Sequence, residues 1–300
     1  MSARPAVSAY ATLGFAQLAV GAGGIFARFA LSGAPPLAVA AARLAIASAA
    51  LLAIAAVHRE RTRIAPEHRK IFIFAGLALA IHFATWVWSL QYTSVAVSTL
   101  LVATTPIWTT AYDAVVMRRG LSIAAYGAFA IGAAGLVLVV GFNSARPPIA
   151  GHERLGDALA MTGAMAIGAY FILVRRVRGA YGTRPIVTRT YTWAAVALVV
   201  AAAAARQSPP PLADARAWGG ILAMALISQL LGHTAMNASL RWFSPSAIAM
   251  TTLLEPVLAA ALAYWLFGEG LTAAAIGGAL LILAAIGAFL REEAQRPVPA

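Results

Sequence analysis

Long apolar stretches alternate with short polar connections along the whole chain, and they repeatedly reach the ~20 residues that a helix needs to cross a hydrocarbon layer. Ten helices are predicted, near 8–29, 36–57, 71–90, 94–116, 121–141, 155–175, 187–205, 217–239, 245–267 and 271–290. The links between the third and fourth, fourth and fifth, eighth and ninth, and ninth and tenth are very short, so each of these pairs should be an antiparallel hairpin. Sizeable polar connections occur only at 58–70, 142–154 and 206–216, which leaves no place for a soluble domain. Arg4 ahead of the first apolar run imitates a signal peptide. The run is too long for one and has a counterpart opening the second half, so it is read as a helix. The expected fold class is an all-α membrane protein.

The pattern is written twice. A shift of 150 positions carries Leu90 onto Leu240, Pro106 onto Pro256 and Gly127 onto Gly277. The same shift carries Met117-Arg118-Arg119-Gly120-Leu121-Ser122 onto Phe267-Gly268-Glu269-Gly270-Leu271-Thr272. Two domains are therefore expected, 1–150 and 151–300, with five helices each. Five is odd, so the second half must enter the membrane from the opposite face. The architecture predicted is ten transmembrane helices as two inverted five-helix repeats. Membrane proteins of this design are usually transporters, with the substrate between the halves and exposed to either side as they rock.

Composition agrees. Charged residues make up 11% of the chain and the apolar set 61%, with a mean hydropathy of +0.81, whereas a soluble domain carries about 25% charge. The net charge of +12 is a topological signal rather than a nucleic-acid footprint. One side of the ten-helix arrangement holds Arg4, Arg59, Arg61, Arg63, Arg69, Lys70, Arg118, Arg119, Arg175, Arg176, Arg178, Arg184, Arg189, Arg241, Arg291 and Arg296. The other side holds only Arg28, Arg146, Arg154, Arg206 and Arg216, and Arg43 lies inside a helix. Basic residues stay on the cytoplasmic side during insertion, which puts both termini of a multi-pass protein in the cytoplasm. Cysteine is absent, so disulfide and thiol chemistry are excluded.

Leu254-Glu255-Pro256, Gly268-Glu269-Gly270-Leu271-Thr272, Gly277-Gly278 and the arginine of Ala42-Arg43-Leu44 together carry a resemblance that covers almost the whole chain. The chain resembles the EamA-type members of the drug/metabolite transporter superfamily, and within them is most similar to bacterial aromatic amino acid exporters. The first half departs from the pattern, since Arg118-Arg119 stands where the family usually has Gly-Glu. The resemblance implies ten helices in the bacterial inner membrane, export of small metabolites, and a central cavity lined mainly by the first, third, fourth, sixth, eighth and ninth helices.

Polar residues inside the predicted helices point to a compatible site. Gln229, His233 and Asn237 recur at i, i+4 and i+8 on the eighth helix, forming one stripe. His82 and Trp86 share a face of the third, with Ser89 on the next turn. Such groups are costly in hydrocarbon unless they face protein or water. Two readings stand: the stripes line a cavity between the halves, or they only bond neighbouring helices. Neither histidine has a carboxylate at ligand spacing, so no metal is expected, and nothing in the chain calls for a cofactor.

Pro106 is surrounded by Ser98, Thr99, Thr104, Thr105 and Thr109, and Pro256 by Thr251, Thr252 and Glu255. Each proline should kink its helix and free a carbonyl one turn earlier. The kinks serve either as substrate contacts and hinges or as static bends patched by hydroxyls. Of the aromatics Trp86, Trp88, Tyr92, Trp108, Tyr170, Tyr191, Trp193 and Trp265, most are expected at the headgroup level. Trp86 and Tyr170 lie deep enough to stack on a planar or apolar ligand. That favours an amphipathic substrate such as an aromatic amino acid over a sugar phosphate, which would want deep cations. Arg43, the one deep arginine, fits either a structural pairing or a ligand contact. The most embedded acids, Asp113 and Glu255, are the candidates for carrying a proton.

Small residues at i and i+4, Ala128 with Gly132, Ala273 with Gly277 and Ala274 with Gly278, permit close helix packing. They serve internal packing or a dimer face, and a monomer is the simpler expectation. The partners expected are the lipid bilayer and a small-molecule substrate. A membrane enzyme would need a convergent acid–base or metal constellation that these acids and histidines do not form. A non-transporting scaffold or sensor remains the rival, together with exporters of other metabolites or drugs.

Overall fold

The computed structural model describes residues 6–60, 62–118, 120, 122–140, 151–267 and 272–294. The Gly268–Leu271 part of the repeated motif, Arg4, Arg61, Arg119, Arg146 and Arg296, and most of the 142–154 connection lie outside the described residues. All regular structure among those described is helical. In chain order the elements are α1 (Val7–Gly21), α2 (Gly23–Ala30), α3 (Pro36–Val57), α4 (Pro66–Tyr92), α5 (Val95–Val102), α6 (Thr105–Val115) and α7 (Ile123–Val140). The second half continues with α8 (Glu153–Val177), α9 (Thr183–Ala204), α10 (Ala215–Ala223), a π-helical segment (Met224–His233), α11 (Thr234–Ser239), α12 (Pro245–Thr251), α13 (Leu254–Phe267) and α14 (Ala273–Glu293).

Eight stretches among the described residues are long and apolar enough to cross a membrane, and the protein is a multi-pass membrane protein. Two of the ten predicted helices fall short of that length. The fourth is divided into α5 and α6, and the apolar part of α7 covers only Ile123–Val139. Two others start earlier than expected. α4 begins at Pro66 rather than 71 and α9 at Thr183 rather than 187. Pro66 sits in the first turn of α4, where a missing N–H costs nothing, so polar residues of the preceding connection continue into the helix.

Packing follows the repeat. α3 packs on α9, α7 on α14, α6 on α12 and α5 on α13. α4 packs along α8, and α1–α2 pack along α10, the π segment and α11. Exchanging each element for its counterpart 150 positions away leaves this set of pairs unchanged. Glycines set the closest crossings. A Cβ at Gly135 would lie 2.6 Å from the carbonyl oxygen of Gly278, and one at Gly278 would lie 2.5 Å from that of Gly135. The α7–α14 seam therefore requires glycine at both positions. The outward faces carry large apolar side chains such as Leu18, Phe74, Val196 and Leu283, as a surface solvated by lipid does. One half also completes the other. The first turn of α3 has no capping side chain of its own, and Gln207 Oε1 accepts the Leu37 N–H at 2.8 Å.

Candidate functional site

The interruptions of the long helices converge. α1 gives way to α2 at Ala22, inside Gly21-Ala22-Gly23-Gly24, where each glycine costs a helix about 1 kcal/mol relative to alanine. α5 passes to α6 at Ala103–Thr104, and α12 to α13 at Thr252–Leu253. These last two breaks are the same break in the two halves, since a shift of 150 carries Val102 onto Thr252 and Thr105 onto Glu255. The fourth interruption is the π segment, whose i+5 bonding is rare and tends to mark functional sites.

Both prolines stand differently from the sequence expectation. Pro106 and Pro256 lie in the first turns of α6 and α13, so each starts a helix rather than bending one. The carbonyls they free are already occupied. Thr105 Oγ1 donates to Val102 O at 2.6 Å, and the Glu255 N–H donates to Thr252 O at 2.9 Å. Neither carbonyl is a vacant acceptor for a ligand, because an unsatisfied one would be costly in this environment.

A narrow cavity of about 40 Å³ lies at these breaks, room for a few water molecules. Val20, Gly21, Gly23 and Gly24 border it at the α1–α2 break, and Thr99, Val102 and Thr105 at the α5–α6 break. Thr252, Glu255 and Ala259 border it from α12–α13, and Ser228, His233 and Met236 from the π segment and α11. The remaining wall is His82, Phe83 and Trp86 from α4 with Ile167 and Phe171 from α8, and Arg43 enters from α3.

Arg43 is only 1% exposed, although Ser48 is the one other polar side chain on its helix. Its Nε donates to Gln229 Oε1 at 3.1 Å. Its guanidinium carbon lies 3.9 Å from the Phe83 ring centroid and 5.9 Å from that of Trp86, so ring faces replace part of the lost hydration. Its Nη2 has no hydrogen-bond partner, and neither has Gln229 Nε2 or His233 Nδ1. His82 Nδ1 is 2.9 Å from the Gly163 carbonyl, which can only accept, so the neutral ring carries its proton on Nδ1 and presents Nε2 as an acceptor. The His82 and Trp86 rings stack with 4° between their planes, and the His233 ring centroid is 6.4 Å from that of His82. Glu255 stands in the first turn of α13, where the positive end of the helix favours a carboxylate.

Of the residues singled out from sequence, Arg43, His82, Trp86, Thr99, Thr105, His233, Thr252 and Glu255 border the cavity. Gln229 stands behind it, holding Arg43. Tyr170, Asn237 and Ser98 do not border it. The Tyr170 hydroxyl donates to Asn237 Oδ1 at 2.8 Å, and Asn237 Nδ2 donates to the His233 carbonyl at 2.7 Å. Both residues are fully buried, so they join α8 to α11 by bonds to each other. Ser98 shares a 2.7 Å bond with Ser89. Asp113 accepts from Ser246 Oγ at 2.8 Å on the α6–α12 seam, away from the cavity. Tyr191, expected at the membrane interface, is fully buried, with its hydroxyl at 3.4 Å from the Gln229 carbonyl. Phe83 and Phe171 were missed, because apolar side chains on apolar helices give no signal. Phe83 was detectable through the repeat, since it aligns with His233.

Among the described residues, no group of three or more His, Cys, Asp and Glu side chains is placed to hold a metal ion. A search of curated proteins finds no match. Among solved structures, one described only as "Crystal structure of protein" is similar over 97% of this chain and 99% of its own, with a TM-score of 0.79 at 15% identity. At that identity the likeness concerns the fold. The family model of the EamA-like transporter family matches twice, over residues 8–141 and 154–291. Those two matches take in nearly the whole chain and fall on either side of the 142–153 connection; the chain belongs to the EamA-like transporter family.

Proposed function

We propose that this protein exports small amphipathic organic solutes, foremost aromatic or apolar amino acids, across the bacterial inner membrane by alternating access. The observation that carries this reading is the convergence of four helix interruptions on one cavity whose lining combines two charged side chains with aromatic faces. Discontinuous helices around a central site are the arrangement transporters use to bind a polar group without exposing backbone to lipid. In this reading the ten helices all cross the membrane, α5–α6 and α7 included, as inverted repeats over 1–150 and 151–300 with both termini cytoplasmic. A monomer contains the complete cavity. His82, Trp86 and His233 contact the substrate, while Gln229 and the Tyr170–Asn237 pair hold the walls in place. Pro106 and Pro256 mark the hinges, and Glu255 rather than Asp113 is placed to carry a proton.

Proteoliposomes containing only this protein test the reading. Labelled phenylalanine or tryptophan should cross at well above the rate of protein-free vesicles, and an imposed pH gradient should change that rate. Background flux for every amino acid and drug tried would remove the proposal in favour of a scaffold or sensor. Flux of other metabolites but no amino acid would keep the transporter and discard the substrate.

A further inference from the structure

The cavity holds one buried cation and one carboxylate, and they stand on different elements. Arg43 reaches in from α3 and Glu255 from the start of α13. Each lies in the electrostatic field of the other. Arg43 is held from behind, because Gln229 takes its Nε, while Nη2 is buried with no partner. A guanidinium remains charged in proteins and its nitrogens are donors only, so the unpartnered Nη2 of Arg43 is complementary to an acceptor and above all to a carboxylate. Aromatic faces from Phe83 and Trp86 lie directly beside it.

From this we infer that the site is built as two poles for a zwitterion: Arg43 receives the ligand's carboxylate, Glu255 receives its ammonium, and Phe83 and Trp86 receive an apolar or aromatic side chain. The argument is one of charge balance in a poorly hydrated space. A zwitterion gives each pole an opposite charge and adds none to the cavity, whereas an anion leaves Glu255 facing a like charge and a cation does the same to Arg43. Buried charges persist only when paired. This assignment rests on the transport reading above and states which amphipathic solutes that site prefers.

The test is a charge series on a shared phenethyl group, assayed with the full-length protein in proteoliposomes and by thermal stabilisation in detergent. The ligands are phenylalanine, phenethylamine, 3-phenylpropionate and 3-phenylpropanamide. The wild-type protein should prefer phenylalanine to each of the others by about tenfold, the usual scale of one charge-assisted contact. Arg43→Gln should shift the preference to phenethylamine, and Glu255→Gln should shift it to 3-phenylpropionate. Arg43→Lys should keep the wild-type order with weaker binding, since it retains the charge and loses the fork. If Arg43→Gln does not fold, Arg43→Lys and Glu255→Gln decide. Flux of phenylalanine by the wild type with variants that weaken all four ligands equally would overturn the two-pole site and leave Arg43 and Glu255 as a structural pair. Absence of wild-type flux and stabilisation for every ligand would instead overturn the transport reading itself.

Discussion

Where one wall of the cavity carries Phe171, the other carries Gly21, and the two positions are 150 residues apart and equivalent in the repeat. The same comparison holds for Trp86 against Met236 and Phe83 against His233. The α4–α8 wall is bulky and aromatic and stands on two uninterrupted helices of 27 and 25 residues. The opposite wall is slimmer and stands on a helix broken at Ala22 and on one with a ten-residue π segment. The cause is local. Gly21, Gly23 and Gly24 align with Phe171, Leu173 and Val174, so the first helix loses its continuity where its counterpart is packed with large side chains. A repeat thus sets two continuous helices, the expected platform for a substrate ring, against interrupted ones, the expected compliant wall.

This contrast breaks most sharply at the close crossing of the compliant wall. In Gly220→Val the new Cβ would lie 2.5 Å from Ala30 N and 2.7 Å from Phe26 O. Backbone cannot yield there, and a loss of on the order of 3 kcal/mol or more is expected. Folded yield and the thermal midpoint in detergent should collapse. Gly14→Ala, with open space around it inside α1, should leave the yield intact and raise the midpoint slightly. Next in size is the platform itself. Trp86→Ala should lower phenylalanine flux by about tenfold through the lost ring contact. Trp265→Ala, at a position 83% exposed on α13, should change it by less than about twofold, and equal effects would dissolve the platform. A smaller and opposite pair of effects is expected from Gly23→Ala. The added Cβ meets Ser228 Oγ at 3.4 Å and Trp86 Cη2 at 3.8 Å, which are ordinary contacts, and alanine favours helix over glycine by about 1 kcal/mol. The protein should melt slightly higher and transport several-fold more slowly, which sharpens the link between compliance and turnover. The smallest effect belongs to the Arg184–Glu60 ion pair, whose side chains are 47% and 30% exposed. Glu60→Gln should cost about 0–1 kcal/mol at low salt and nothing at high salt.

Hydropathy made the helices legible, and the 150-position shift made their pairing legible, because both depend on bulk apolar pattern. The interruptions were harder to read. Gly21-Ala22-Gly23-Gly24 is apolar and passes as continuous helix, and a stripe at i, i+4 suits a π segment as well as an α-helix. Spacing placed Gln229, His233 and Asn237 on one face but did not separate a residue bordering a cavity from one bonded behind it. Asn237 is spent on Tyr170 and on the His233 carbonyl. Arg43 was visible as the one deep cation, whereas its partner was not, since Gln229 lies 186 positions away.

That separation bears on how the protein is made. Translation delivers Arg43 to the membrane long before the helix carrying Gln229 has been synthesised. Until then the guanidinium has the ring faces of Phe83 and Trp86 but lacks the Gln229 acceptor, so its burial in the early half alone is more costly. A chain ending before residue 229 should therefore persist in the membrane for a shorter time than the full-length chain, since its Arg43 lacks the Gln229 bond.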